Sequence, residues 1–153
     1  LIIAAQDFAL KIGIPNILQP GLVKEMIIAE LLGHELITSK RDVDACKIGD
    51  PSIKYECLSC YEGVSGQLDR MFKEPPEDRE KSLNRIKRNK MIYFAIFFKS
   101  NPLKIKTVYE IHPEVMVVET ERQLDRSGNT ISHVGFSENW AKKNATIVFQ
   151  VTS

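Results

Sequence analysis

The chain has 153 residues, 43% of them hydrophobic and 27% charged, with a formal net charge of +1. That length is close to the commonest size for one domain, and that apolar fraction buries a core without staples, so a single domain over residues 1–153 is expected. A near-neutral total neither calls for nor excludes a nucleic-acid partner, which needs only a local basic face, while three cysteines, an odd number, argue against a secreted disulfide scaffold and fit a reducing, cytoplasmic setting.

Residues Leu1 to Ala5 are apolar but far too short to span a bilayer, and the stretch lacks the basic start of a signal peptide. No membrane association is expected. The first residue is not Met, so some N-terminal sequence is expected to be missing. Ala4 to Leu10 reads as a short helix ending at Gly13 and Pro15. Leu22 to Leu32 reads as a helix with apolar residues at 23, 27, 28 and 31, stopped by Gly33. Glu35 to Ser39 suits a short strand, and the polar residues 40–51, with Gly49 and Pro51, a loop or strand edge.

Ser52 to Cys60 alternates as a strand: Ile53, Tyr55, Cys57 and Ser59 share one face, and Lys54, Glu56, Leu58 and Cys60 the other. Gly63 to Gly66 is a turn, Gln67 to Lys73 a short helix, and Pro75-Pro76 a break. Glu77 to Asn89 is a helix with acids early and bases late, as the macrodipole favours. The apolar run Met91 to Lys99 has the signature of a central strand. Lys104 to Ile111 pairs with it across Ser100-Asn101-Pro102. Pro113 opens a helix to about Arg126. A turn at 127–129, a strand Ile131 to Phe136, a Ser137-capped helix through Lys142 and a strand Ala145 to Val151 complete the chain. The class is α/β or α+β, a central mixed sheet flanked by helices.

Cys57 and Cys60 form a CxxC, but no second CxxC or HxxxH follows, so they read as two thiols on a strand rather than half of a zinc site. The stretch from Lys40 to Asp69 carries more. It holds Asp42 and Asp44 before a turn at Gly49, then Glu56 inside a strand. Charged residues inside strands are uncommon unless they lie on an edge or have a function. Two carboxylates on adjoining strands repel each other, and a divalent cation relieves that; a hard cation such as Mg²⁺ takes oxygen ligands and keeps waters that serve as nucleophile.

With those acids in place, the chain resembles the PD-(D/E)XK nucleases, in particular the short, single-domain type II restriction endonucleases. Residues 6–14 resemble the N-terminal helix, Asp44-Ala45 the first metal-binding Asp, and Tyr55-Glu56-Cys57-Leu58-Ser59 the Tyr-Glu-X-Lys-Ser strand. Residues 92–97 and 109–111 resemble the strands that follow, in the same order. The resemblance implies a restriction-endonuclease-like core, Mg²⁺ with Mn²⁺ as a substitute, double-stranded DNA as substrate, and a homodimer, because a palindromic target calls for a two-fold reader. It implies Asp44 and Glu56 as metal ligands, the Cys57 carbonyl as a third, and Glu25 as an additional acid. The position of the family's lysine holds Leu58. Lys54, on the face of Glu56 and about 6–7 Å along the strand, is the first candidate to replace it, with Arg70 or Lys73 on the following helix as others.

Two segments point to DNA. Residues 79–90, which include Lys81, Arg85, Lys87 and Arg88, are basic enough to contact phosphates, or form a solvated helix end. Gln67 and Arg70 are residue types that read adenine and guanine in the major groove, unless they only cap and cover a helix. Ser132 and His133 put polar side chains on a late strand, where the resembled family carries recognition residues; a structural role is the competing reading for His133. The expected function is site-specific cleavage of double-stranded DNA. A catalytically inactive DNA-binding domain on the same fold is the alternative, motivated by Leu58. A different enzyme or interaction domain sharing only the α/β pattern is the third.

Overall fold

The computed structural model describes residues 1–11, 13, 21–38 and 43–151, apart from the side chains of Thr38, Val43 and Asp44. It divides into two compact units, residues 1–53 and residues 54–153.

The first unit holds α1 (Ile2–Lys11), α2 (Leu22–Leu32), β1 (His34–Thr38), β2 (Val43–Lys47) and the opening of β3 (Asp50–Tyr61). Gly33 ends α2 in the left-handed region at φ 68°, where its N–H reaches the carbonyls of Ala29 and Glu30, which is why a glycine stands there. β1 and β2 are antiparallel, from His34 opposite Lys47 to Thr38 opposite Val43, and β2 neighbours β3. Of the loop or strand edge expected over 40–51, Val43 to Lys47 is strand β2, Ile48-Gly49 is a turn and Asp50 opens β3. Ala45 and Cys46 are both buried, and the charged Asp44 and Lys47 hide that from an apolar-alternation reading. Residues 39–42, Asp42 among them, lie outside the described residues.

The second unit is built on β3, β5 (Met91–Phe97), β6 (Ile105–Ile111) and β8 (Thr146–Gln150), neighbours in that order. The sheet is mixed. β5 runs parallel to β3, with Glu56 opposite Ile92 and Leu58 opposite Phe94, while β6 is antiparallel to β5 and β8 antiparallel to β6. A parallel return needs a crossover, and α3 (Pro76–Lys87) lies within that connection. Strand β5 is apolar on both faces because both are covered: Ile92, Phe94, Ala95, Ile96 and Phe97 are all buried. On one face Leu58, Phe94 and Tyr109 join Met116 and Leu124 of α4 (Pro113–Arg126) and Ala141 of α5 (Glu138–Asn144) in a single core. The Ser137 side chain caps α5 by accepting from the Trp140 N–H at 3.1 Å.

A second, two-stranded sheet leaves this core as a ribbon: β4 (Gly66–Phe72) antiparallel to β7 (Ile131–Phe136). Here the sequence expectation fails. Gln67 to Lys73 is not a helix but strand β4 and the residue after it. The register shifts between Leu68 and Met71, so one extra residue is inserted and buried positions fall three apart, a spacing that imitates a helical turn. Gly66 is required by contact: a Cβ there would lie 2.8 Å from Cε1 of the buried Phe94 ring. The remaining elements of this unit follow the sequence reading to within a few residues. Among the described residues no helix is long and apolar enough to cross a membrane.

Candidate functional site

The ribbon turns one face to the core and the other to solvent. Leu68, Met71, Val134 and Phe136 are buried, whereas Gln67, Asp69, Arg70 and His133 are exposed. The inserted residue makes a bulge at Asp69-Arg70, and Arg70 takes φ 55°. A non-glycine side chain in the left-handed region costs about 1–2 kcal/mol and persists only where its surroundings hold it. Arg85 of α3 does the holding: its Nη1 donates to the carbonyl oxygens of Asp69 at 2.9 Å and Arg70 at 3.3 Å, and to Met71 Sδ at 3.4 Å. Next to the bulge, the His133 Nδ1 and Asp69 Oδ1 are 2.8 Å apart. His133 is thus an exposed residue paired with Asp69.

α3 supplies the opposite wall. Its Pro76 start, acidic first turn and basic last turn suit a helix of this polarity. The buried Ser82 hydroxyl accepts the Phe72 N–H at 2.9 Å, which ties helix to ribbon. Between them opens a cleft of about 420 Å³, floored by Phe72 and Ser82 and walled by Asp69, Arg70, Asp78, Lys81 and Arg85. Three of the residues expected to meet DNA therefore line one cleft. Lys87 and Arg88 do not: Lys87 Nζ lies 3.7 Å from Glu80 Oε1, and Arg88 ends the helix. Ser132 is tied into the turn before β7, its hydroxyl 2.7 Å from that of Ser127.

On β3, Lys54 and Glu56 are half-buried and share a strand face by alternation. The Lys54 carbonyl accepts the Lys90 N–H at 2.8 Å, where the chain enters β5. Two residues further along that face, Leu58 is buried in the core with Phe94 and Cys60. Its apolar character is a packing requirement of this sheet. Cys57 and Cys60, three apart on an extended strand, lie roughly 10 Å from each other, too far for a disulfide, and the Cys60 thiol donates to the Val64 carbonyl at 3.3 Å. Neither Arg70 nor Lys73 stands on a helix after β3. The Lys73 ammonium donates to the Ser127 carbonyl at 2.7 Å. Glu25 is half-buried in α2, in the first unit. Asp44 pairs by backbone with Ile37, and its side chain lies outside the described residues.

Some polar contacts escaped the sequence reading. Tyr93 and Glu110 are register partners across β5 and β6, and the Tyr93 hydroxyl donates to Glu110 Oε2 at 3.0 Å. Burial, then Glu110, push that phenol well above its ordinary range, so it stays a donor. The Gln123 amide clamps β7 by donating to the Gly135 carbonyl at 2.7 Å and accepting its N–H at 3.1 Å. Alternation could have marked Tyr93 and Glu110; nothing local announces Gln123. Among the described residues no group of three or more His, Cys, Asp or Glu side chains is disposed to hold a metal ion. No known protein family matches the chain, and no curated protein matches it at a significant level.

Proposed function

We propose that the chain is a site-specific, Mg²⁺-dependent endonuclease of double-stranded DNA, acting as a homodimer on a restriction-endonuclease-like core. The observation that carries this reading is the placing of Arg70 and Lys81 on one open cleft beside a ribbon that exposes Gln67, Asp69, Arg70 and His133. A two-stranded ribbon is one of the two elements that fit the major groove of B-DNA. The order α2, β1, β2, β3, β4, α3 and β5, with β5 parallel to β3 and β4 outside the main sheet, is what supports the core assignment.

Asp44, Glu56 and the Cys57 carbonyl, with Glu25 as an additional acid, are the proposed metal ligands. All are oxygen donors, the chemistry a hard divalent cation requires, and Mn²⁺ substitutes on the same donors. When bound, the cation polarises the scissile phosphate and lowers the pKa of water. In this reading Lys54 stabilises negative charge developing on the phosphate, the role left open by Leu58. Lys81 holds the duplex backbone, and the ribbon reads base edges.

A binding-only protein is the second reading, favoured by the burial of Leu58 in the core. Supercoiled plasmid incubated with Mg²⁺, with an EDTA control, decides between them. The parent is expected to nick or linearise it. Glu56→Gln and Asp44→Asn are expected to abolish cleavage while retaining duplex binding. A parent that binds duplex but never cuts with Mg²⁺ or Mn²⁺ establishes the second reading. Full cleavage by both variants removes these carboxylates from the chemistry.

A further inference from the structure

Arg85 belongs by sequence to a basic helix, and its natural reading there is a phosphate contact. Its hydrogen bonds point elsewhere. One guanidinium nitrogen reaches both carbonyls of the bulge and the sulfur of the residue that follows it. Within the bulge, Arg70 holds a left-handed backbone conformation that a non-glycine residue rarely adopts. Arg70 itself is exposed, at the mouth of the cleft, next to the Asp69–His133 pair.

We propose that Arg85 is a positioning residue: it locks the β4 bulge so that Arg70 meets a guanine edge in a fixed geometry, and so sets which sequence is bound rather than how tightly any duplex is held. This rests on the DNA-binding reading above. Bidentate recognition of guanine O6 and N7 needs the arginine fork at a defined angle. An arginine on a flexible loop loses rotamer and backbone freedom when it docks. A bulge tied down before DNA arrives has already lost the backbone part. The bulge carbonyls are the groups an ordinary ladder would have paired, and Arg85 satisfies them from the neighbouring helix. A phosphate contact has no need of this arrangement.

The two roles separate in one experiment. A randomised duplex pool is bound to the parent and to Arg85→Gln and Arg70→Ala, the enriched sequences are read, and the salt dependence of binding is measured on the parent's enriched duplex and on a scrambled one. The parent is expected to enrich a site containing a fixed G·C pair. Arg70→Ala and Arg85→Gln are each expected to lose about tenfold or more of the preference for that pair. Arg85→Gln leaves the affinity for scrambled duplex and the salt slope within error of the parent's, and the double variant loses no more than either single one. Hydrogen exchange at the amides of residues 69–72, with no DNA present, is expected to quicken in Arg85→Gln and not in Arg70→Ala.

A uniform loss of affinity in Arg85→Gln, with a slope lower by about one unit and the preference kept, makes Arg85 a phosphate contact and overturns the proposal. So does an unchanged preference in Arg70→Ala, an exposed change that leaves the fold alone. Should Arg85→Gln not fold, Arg85→Met keeps the aliphatic stem and removes every donor to the bulge: a kept preference overturns the proposal and a lost one upholds it. A parent that binds duplex without preference overturns this inference alone. A parent that binds no duplex overturns the DNA reading with it.

Discussion

The sheet and the ribbon of the second unit solve opposite problems with neighbouring stretches of chain. The sheet is held from both sides. Its β5 is buried on both faces and paired on both edges, so every side chain has a place decided by many neighbours. The ribbon is two strands with one apolar face, a structure barely stable by itself. Its apolar face, with Leu68, Met71, Val134 and Phe136, is buried in the same core as the sheet, and a few identifiable contacts fix its backbone: Gly66 against Phe94, Gln123 on the Gly135 backbone, Ser82 on the Phe72 N–H and Arg85 on the bulge. A strand pair with one face left to solvent can present polar side chains outward and be retuned there one residue at a time. A face held by packing cannot, and Leu58 lies on such a face, buried in the core.

The comparison breaks first at Phe94, the ring beneath both regions. Phe94→Ala removes a fully buried side chain that meets Tyr109 and the approach at Gly66. The expected cost is about 3–5 kcal/mol, read as a shift in a denaturant melt. Ribbon amides are expected to lose hydrogen-exchange protection together with the sheet's. Ribbon protection that outlives the sheet's would show that the ribbon stands alone, and the contrast drawn above would be wrong.

Most elements were legible because period and punctuation agree. Pro113 opens α4, Gly33 closes α2, and the apolar run of β5 leaves no other place for it. β4 was not legible, because its bulge moves Met71 from the second to the third residue after Leu68, which writes a helical spacing into a strand. Of the candidate site, the residue types were legible and their duties were not. The same basic run contains Lys81 at a cleft, Arg85 bonded to a bulge and Lys87 beside Glu80, and only the fold assigns Arg85 to a ribbon far from it in sequence. Lys73 is a similar case, its ammonium donating to the carbonyl of Ser127, 54 residues away in sequence.

Lys54 sharpens the comparison on the sheet side. It is half-buried on a strand whose geometry the core dictates, two residues from Glu56. If it supplies the cation that Leu58 does not, Lys54→Met slows single-turnover cleavage about a hundredfold or more, roughly 2.7 kcal/mol of barrier, while duplex affinity changes far less. Equal losses in rate and affinity would make it a duplex contact. Normal cleavage by Lys54→Met would leave the strand chemistry without this residue and would direct attention to Arg70 and Lys73, the other two candidates.

The smallest expected effect tests the ribbon side. Lys81 lies one helical turn before Arg85 on α3 and lines the same cleft, but its situation differs from that of the cations around it. Arg79 pairs with Asp125 at 2.9 Å and Lys87 approaches Glu80 at 3.7 Å, so part of their charge is already answered within the protein. An exposed ammonium on a four-carbon stem makes a point contact with a phosphate without fixing an angle. Such a contact releases about one counterion on binding. Lys81→Ala is therefore expected to weaken binding to every duplex alike and lower the salt slope by about one unit, leaving the enriched sequence unchanged. Lys87→Ala, already opposed by Glu80, is expected to do less. Titrations of parent and variants at several salt concentrations read both numbers. An unchanged slope for Lys81→Ala would take this face of α3 out of the interface and leave the ribbon to bind by itself, and a variant that changed sequence preference instead would exchange the roles assigned to Lys81 and Arg85.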